Sequence, residues 1–282
     1  MSGGPHEVLA TFWLLDAPMS LLLQSDRQPD GVGLATFDAD GTPNVYRRPV
    51  AANRSETFIA GAQKRRSRTF LAHIRHLTAA EPRFENTHPF EQKGRVLGHN
   101  GVLEVADLDI LRAKIGDEYL RLVEGETDSE LMFALMTRRI DEHDGDIGAG
   151  ITAAAREIAA EITMYSLNLI LATPDELWAL RYPETNPLWI QERSASFEPD
   201  GMFDERSLSG NMRVQSAALS VRPATVIASE RMDNDPGWRL LESGELVRVD
   251  RDLNVTSTIA VSDPPARMMV LGEQAATAQA AD

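Results

Sequence analysis

The stretch Val96-Leu97-Gly98-His99-Asn100-Gly101 decides the fold. Its first four residues read as a short buried strand, and the Asn-Gly pair that closes it is a turn signal. Just upstream, Asn86-Thr87-His88-Pro89-Phe90 reads as a turn-rich loop, and Phe70 to Ile74 is an apolar run that suits another buried strand. Further back, Pro29-Asp30-Gly31 marks a turn before a strand-like run from Gly33 to Phe37. Asp38-Ala39-Asp40-Gly41 then makes a hairpin turn. Asp16 to Gln24 is apolar and reads as a short helix.

Downstream the period changes. Thr127 with Glu130 three residues later has the form of a capping box, and Leu131, Met132, Leu135, Met136 and Ile140 follow at helical spacing. Ile151 to Ile162 reads as a second helix. Strands return at Leu167 to Ala172 and Glu176 to Arg181, joined by the hairpin signal Thr173-Pro174-Asp175. Pro187 to Gln191, Thr225 to Ala228, Glu245 to Val249 and Val255 to Ala260 complete a strand-rich second half. Strands, then two helices, then more strands predict an α+β layered domain. There is no internal repeat and no long linker. One domain over residues 1–260 is expected, with 261–282 as a C-terminal extension whose Ala- and Gln-rich end, Gln274 to Asp282, frays.

The 282 residues are 43% hydrophobic and 25% charged, enough for one large core. Net charge is −15, with the excess acid beyond residue 100, which argues against nucleic acid as a partner. The basic cluster Lys64, Arg65, Arg66 and Arg68 reads as a solvated loop. No run approaches the roughly 18 apolar residues of a membrane span, and the opening residues lack a signal-peptide pattern, so a soluble cytoplasmic protein is expected. The sequence holds no cysteine, which excludes disulfides, thiolate metal sites and thiol catalysis for this polypeptide.

Four of the six histidines fall between His73 and His99. His73 and His76 are three apart, and on a strand such residues point to opposite faces, so a shared metal ion is not expected. The polar motifs say more as an ordered set: Ala72-His73-Ile74-Arg75, then Asn86-Thr87-His88-Pro89-Phe90, then Gly98-His99-Asn100-Gly101, then Glu126-Thr127-Asp128-Ser129-Glu130. Singly each has an ordinary structural reading. Asn100-Gly101 alone is a plain turn, Asp128 alone a helix-start carboxylate, and Arg75 alone a structural ion pair. In this order and spacing they resemble the class II glutamine amidotransferases. Pro29-Asp30-Gly31-Val32-Gly33, where many members have Trp at the position of Val32, and Thr11-Phe12-Trp13-Leu14-Leu15-Asp16-Ala17-Pro18 extend the likeness. They point to the stand-alone subgroup that includes the γ-glutamyl amidohydrolase of ergothioneine biosynthesis.

That resemblance implies a four-layer αββα sandwich of the N-terminal-nucleophile hydrolase type. It implies that Asn100, through its side-chain amide, and Gly101, through its backbone N–H, form an oxyanion hole. It further implies that Arg75 grips the α-carboxylate of glutamine or a γ-glutamyl compound, that Asp128 takes the α-ammonium, and that Thr87 and His88 line the same pocket. No metal or organic cofactor is implied. Ammonia would be released or passed to a partner protein.

The family's nucleophile is an N-terminal cysteine heading the first strand, in a typical start Met-Cys-Arg-Leu-Phe-Gly. Here Met1-Ser2-Gly3-Gly4-Pro5-His6 resembles the loop after that strand. The resemblance therefore puts about six or seven residues, an ordinary strand length, ahead of Met1. Three readings follow: a longer, active protein; a pseudoenzyme that binds ligand or a partner; or Ser2 as nucleophile, which Gly3-Gly4-Pro5 disfavours because such residues make poor strands.

Overall fold

Every residue of Gly31–Phe37 is buried, so this strand packs on both faces. In the computed structural model, which describes residues 1–75, 82–194, 203–206, 213–216 and 223–271, the elements run as follows. The first third holds β1 (Val8–Leu9), a wide helical turn at Phe12–Asp16, α1 (Leu21–Gln24), β2 (Gly31–Phe37), β3 (Pro43–Arg48), α2 (Glu56–Lys64), β4 (Arg66–Ser67) and β5 (Phe70–Arg75). The middle holds β6 (Phe90–Gln92), β7 (Arg95–Leu103), α3 (Leu108–Ile115), α4 (Asp117–Leu120), α5 (Asp128–Glu142) and α6 (Ile147–Glu161). Then come β8 (Met164–Ala172), β9 (Leu177–Leu180), β10 (Trp189–Arg193), β11 (Phe203–Arg206), β12 (Arg213–Ser216), β13 (Ala224–Ala228), β14 (Arg239–Leu240), β15 (Glu245–Val249) and β16 (Val255–Ile259).

Three sheets carry the architecture. The largest has the order β16-β15-β9-β8-β7-β6, and two three-stranded sheets have the orders β3-β2-β5 and β13-β10-β14. Strand alternation sorts the side chains into layers. On β5, Phe70 and Ile74 join Val32, Leu34 and Phe58 under α2. Leu71, with Ala35, Val96, Ala172 and Ile190, fills the space between the sheets. On the far side, Leu97, Leu169 and Leu171 pack against α5 and α6. Helix, sheet, sheet, helix is the αββα sandwich expected from the resemblance.

Helix α5 is buried nearly all round: Leu131, Met132, Phe133, Leu135, Met136 and Ile140 are each 0% exposed, every one worth about 1.5–3 kcal/mol of burial. Its start is half of the expected capping box. Thr127 Oγ1 accepts from Glu130 N at 3.2 Å, while the Glu130 carboxylate turns to Glu124 N and Gly125 N at 2.8 and 2.7 Å. Asp146 caps α6 through Ala149 N at 2.9 Å, which starts that helix four residues ahead of the expected Ile151.

The structure corrects two readings. Asp16 to Gln24 is not one helix: Ala17 N closes a wide turn on Phe12 O at 2.7 Å, and α1 begins afresh with Ser20 as its cap. Asn100-Gly101 is not a turn either. β7 runs through it to Leu103 because β8 continues alongside, pairing Asn100 with Asn168 and Gly101 with Leu167. Glycine is needed there, since a Cβ on Gly101 would stand 1.9 Å from Ser166 O.

In the basic cluster, Arg68 pairs with Asp175 at 2.8 Å and Arg65 donates to Asn44 at 2.8 Å. The described part of the C-terminal extension lies along the start of β8, with Met164 N donating to Arg267 O and Met269 N to Met164 O; Gln274 to Asp282 falls outside the described residues. Among the described residues no helix is long and apolar enough to cross a membrane.

Candidate active site

Arg75 ends β5, opposite Gly31 of β2. Gly31 leaves room there: a Cβ on it would meet Thr87 Cγ2 at 3.0 Å and Arg75 Cβ at 3.2 Å, so Thr87 and Arg75 both flank the position of the absent side chain. Burial lowers the Arg75 pKa, and Asp30 and Asp128 push it back up; a guanidinium stays protonated through such shifts. Two carboxylates thus act on this one cation. Asp30 is also joined through the backbone, its N–H donating to Arg75 O at 3.1 Å. Thr87 is fully buried and donates to Arg83 O at 2.7 Å. Asn86 Oδ1 accepts from Glu126 N at 2.9 Å, tying this loop to the approach of α5.

His73 lies two residues before Arg75, on the same face of β5. Its ring stacks on His88 at 4.3 Å, and His88 packs in turn on Phe90 at 4.4 Å. His73 Nε2 lies 3.2 Å from the carbonyl oxygen of His99, so that nitrogen carries the proton. Burial holds all three histidines neutral. His73 is pushed down to about 4, and His88 falls well below its ordinary value, with neighbouring positive groups adding to the effect. His99 is lowered by burial although Asp128 pulls the other way.

Asp128 opens α5. One carboxylate oxygen accepts from Leu103 N at 2.8 Å and the other from Ser129 N at 2.8 Å, anchoring the charge between the helix start and the end of β7. The Ser129 hydroxyl sits 2.9 Å from His99 Nδ1 and 3.3 Å from Asp128 Oδ1, while His99 Nε2 faces Ser166 O at 3.2 Å. His99 therefore points into the helix layer. By alternation its neighbour Asn100 points between the sheets, the layer that also takes His73 and Arg75.

The six residues singled out in the sequence thus fall into one connected group. Arg75 and Thr87 both flank Gly31, His88 stacks on His73, His73 touches the His99 backbone beside Asn100 and Gly101, and the His99 ring leads through Ser129 to Asp128. Four members were missed as site residues: Asp30, His73, Ser129 and Arg47. The buried Arg47 lies over Phe84 at 4.5 Å and pairs with Glu124 at 3.1 Å. Asp30, His73 and Ser129 stand inside the motifs already quoted, which was the available signal. Arg47 had none. His76 lies outside the described residues.

The αββα sandwich defines the class as the N-terminal-nucleophile hydrolase fold, and at one end of it lie the buried Arg75 and the half-buried Asp128 and Asn100. The family model for class-II glutamine amidotransferases matches residues 22–270, and the chain belongs to that family. It is 28% identical to the γ-glutamyl-hercynylcysteine sulfoxide hydrolase of Mycolicibacterium smegmatis, covering 87% of this chain and 92% of that protein. It is also 28% identical to an uncharacterized protein of Methanocaldococcus jannaschii, over 79% of this chain and 62% of that one. The chain thus spans less than two thirds of that relative's length. Among solved structures, a glutamine aminotransferase class-II domain protein from Silicibacter pomeroyi superposes with a TM-score of 0.57 at 20% identity, covering 83% of this chain and 92% of that one.

Proposed function

We propose that the protein binds glutamine or a γ-glutamyl compound and, with a cysteine supplied from ahead of Met1, hydrolyses its side-chain amide. The observation that carries this reading is the buried Arg75, acted on by Asp128 and projecting into the same layer as Asn100. An amino-acid head is a zwitterion and needs one cation and one anion at fixed separation. Arg75 suits the α-carboxylate through a bidentate fork, and Asp128 suits the α-ammonium. The thiol attacks the amide carbon, its proton passing to the free α-amine. The oxyanion that forms is met by the Asn100 amide and Gly101 N–H. The C–N bond then breaks, ammonia leaves with that proton, and water cleaves the thioester to release the acid. Ammonia is lost to solvent or taken by a partner protein.

Ser2 does not fill the nucleophile's role. It lies opposite Thr69, six residues along β5 from Arg75 and so about 20 Å away, and its hydroxyl accepts from Gly4 N at 3.2 Å.

A second reading, a pseudoenzyme that binds the same ligands or serves a partner subunit, is favoured by one observation: none of the 282 residues is cysteine. Titration calorimetry with glutamine and a γ-glutamyl dipeptide tests the site under both readings. Arg75→Ala is expected to weaken binding at least tenfold, and an unchanged affinity would remove the carboxylate role. Turnover by a chain carrying its encoded upstream residues, abolished by a thiol-alkylating glutamine analogue, separates enzyme from pseudoenzyme.

A further inference from the structure

The loop between β9 and β10 carries the chain from the six-stranded sheet to a three-stranded one, and on the way it passes the side chain of Asn100. Its anchor is Asn168, which stands opposite Asn100 in the β7–β8 ladder and so projects on the same side of the sheet. The whole Asn168 amide is committed to this loop. Its Nδ2 donates to Asn186 O at 3.0 Å and to Pro187 O at 3.1 Å, while Oδ1 accepts from Tyr182 N at 2.9 Å. Arg181 Nε gives Asn186 O a second donor at 2.9 Å, and Thr185 Oγ1 donates to Tyr165 O at 2.6 Å. Asn168 and Asn186 are each 1% exposed. A loop bonded at so many points holds Asn186 in a fixed place.

From that place Asn186 Nδ2 donates to Asn100 Oδ1 at 3.5 Å, a long bond of the kind that tightens once a ligand fills a site. The Asn100 backbone is held separately, its carbonyl oxygen accepting from Ser166 Oγ at 3.2 Å. An Asn side chain has a donor end and an acceptor end of nearly the same shape, so packing alone does not choose which end faces the pocket. A neighbour that only donates to one end does choose. With Oδ1 engaged by Asn186, Nδ2 is the end left to face the half-buried pocket side of Asn100. The opposite turn would set an oxygen against a developing oxyanion.

We propose that Asn186 positions the Asn100 amide, acting through it rather than on the substrate, so that the donor end faces the reacting carbonyl. This rests on the oxyanion role proposed above for Asn100. Asn186 adds no binding to the amino-acid head, which Arg75 and Asp128 serve, so its loss falls on kcat and spares KM.

Two measurements test this. The first needs no turnover and follows the Asn100 side-chain amide protons by nuclear magnetic resonance in the 282-residue chain. In Asn186→Asp, at mildly alkaline pH, the introduced carboxylate can only accept, so the Asn100 amide is expected to turn and donate to it. Its protons should then move downfield and exchange with water about tenfold more slowly, the effect of one added hydrogen bond. Unchanged Asn100 protons overturn the proposal. The second measurement is glutamine turnover in a chain that carries its encoded upstream residues. Asn186→Asp is expected to lower kcat by about 10²–10³, as loss of the oxyanion donor does, with KM within about twofold. Asn186→Ala, which withdraws the donor without offering an acceptor, should fall between that variant and the native chain. In the Asn100→Ala background neither substitution should lower kcat further; a full additional loss there would mean a structural role and overturn the proposal. A kcat loss in Asn100→Ala with none in Asn186→Asp would overturn the proposal alone, whereas native kcat in Asn100→Ala would overturn the oxyanion role itself.

Discussion

The imidazoles of His73 and His88 stack with their centroids 4.3 Å apart and their planes 26° from parallel, and burial keeps both uncharged. Stability should therefore fall in mild acid. The His73 pKa is 6.5 in the unfolded chain and about 4 in the fold, so above pH 6.5 neither state is protonated and nothing is lost. As pH drops from 6.5 towards 4 the unfolded chain takes up a proton that the fold refuses, and the loss approaches about 3 kcal/mol for this residue. His88 and His99 act in the same direction. Urea midpoints measured between pH 7 and pH 4.5 check this; a flat profile across that window would contradict the neutral trio.

Asp128 holds two backbone amides with its carboxylate oxygens, so its replacement needs a readout that separates structure from binding. Asp128→Asn keeps the shape and removes the charge. Glutamine affinity should drop by about tenfold to a hundredfold, the range of a charge-assisted hydrogen bond worth about 1.5–3 kcal/mol. An analogue of glutamine lacking the α-amine should bind the native chain more weakly than glutamine does. It should lose almost nothing further in the variant. Calorimetry giving parallel losses for both ligands would mean that Asp128 acts only through the backbone it anchors.

Gly101→Ala probes the close approach of β7 to β8. Its Cβ would fall 1.9 Å from Ser166 O and 2.6 Å from His99 Nε2, and neither neighbour is a flexible side-chain end. The strands must separate locally, at a cost of about 1–3 kcal/mol or more, visible as a lower thermal midpoint. Gly31→Ala meets only 3.0 and 3.2 Å contacts with Thr87 and Arg75. It should cost less stability and weaken ligand binding instead, because the added methyl presses on Thr87 and on the Cβ from which the Arg75 side chain is aimed. Equal midpoints for the two variants would contradict this contrast.

The sequence made the layers legible where period was strong. The stripe Leu131, Met132, Leu135, Met136 and Ile140 became the buried α5, and the alternation of Val32 and Leu34 against Ala35 and Phe37 is split between two cores. It misled at Asn100-Gly101, because a turn propensity is local whereas continuation of the strand depended on β8, more than sixty residues on. The ordered motifs brought Arg75, Asn100 and Asp128 forward. Arg47 stayed hidden, since its contacts with Phe84 and Glu124 exist only after β3 has docked. The neutral state of the histidines was equally out of reach, because it comes from burial.

Leu71, His73 and Arg75 share the face of β5 that looks towards the six-stranded sheet, where Asn100 also points. Asn100 is therefore placed to serve the reacting amide while Arg75 and Asp128 serve the amino-acid head, and the two roles separate in kinetics. In a chain that carries its encoded upstream residues and turns over glutamine or a γ-glutamyl compound, Asn100→Ala removes one oxyanion donor and should lower kcat by about 10²–10³, with little change in the affinity that Arg75 and Asp128 supply. Arg75→Ala should do the reverse and act first on affinity. A variant of Asn100 that weakens binding as much as turnover would take the oxyanion role from it and make it a ligand-binding residue instead.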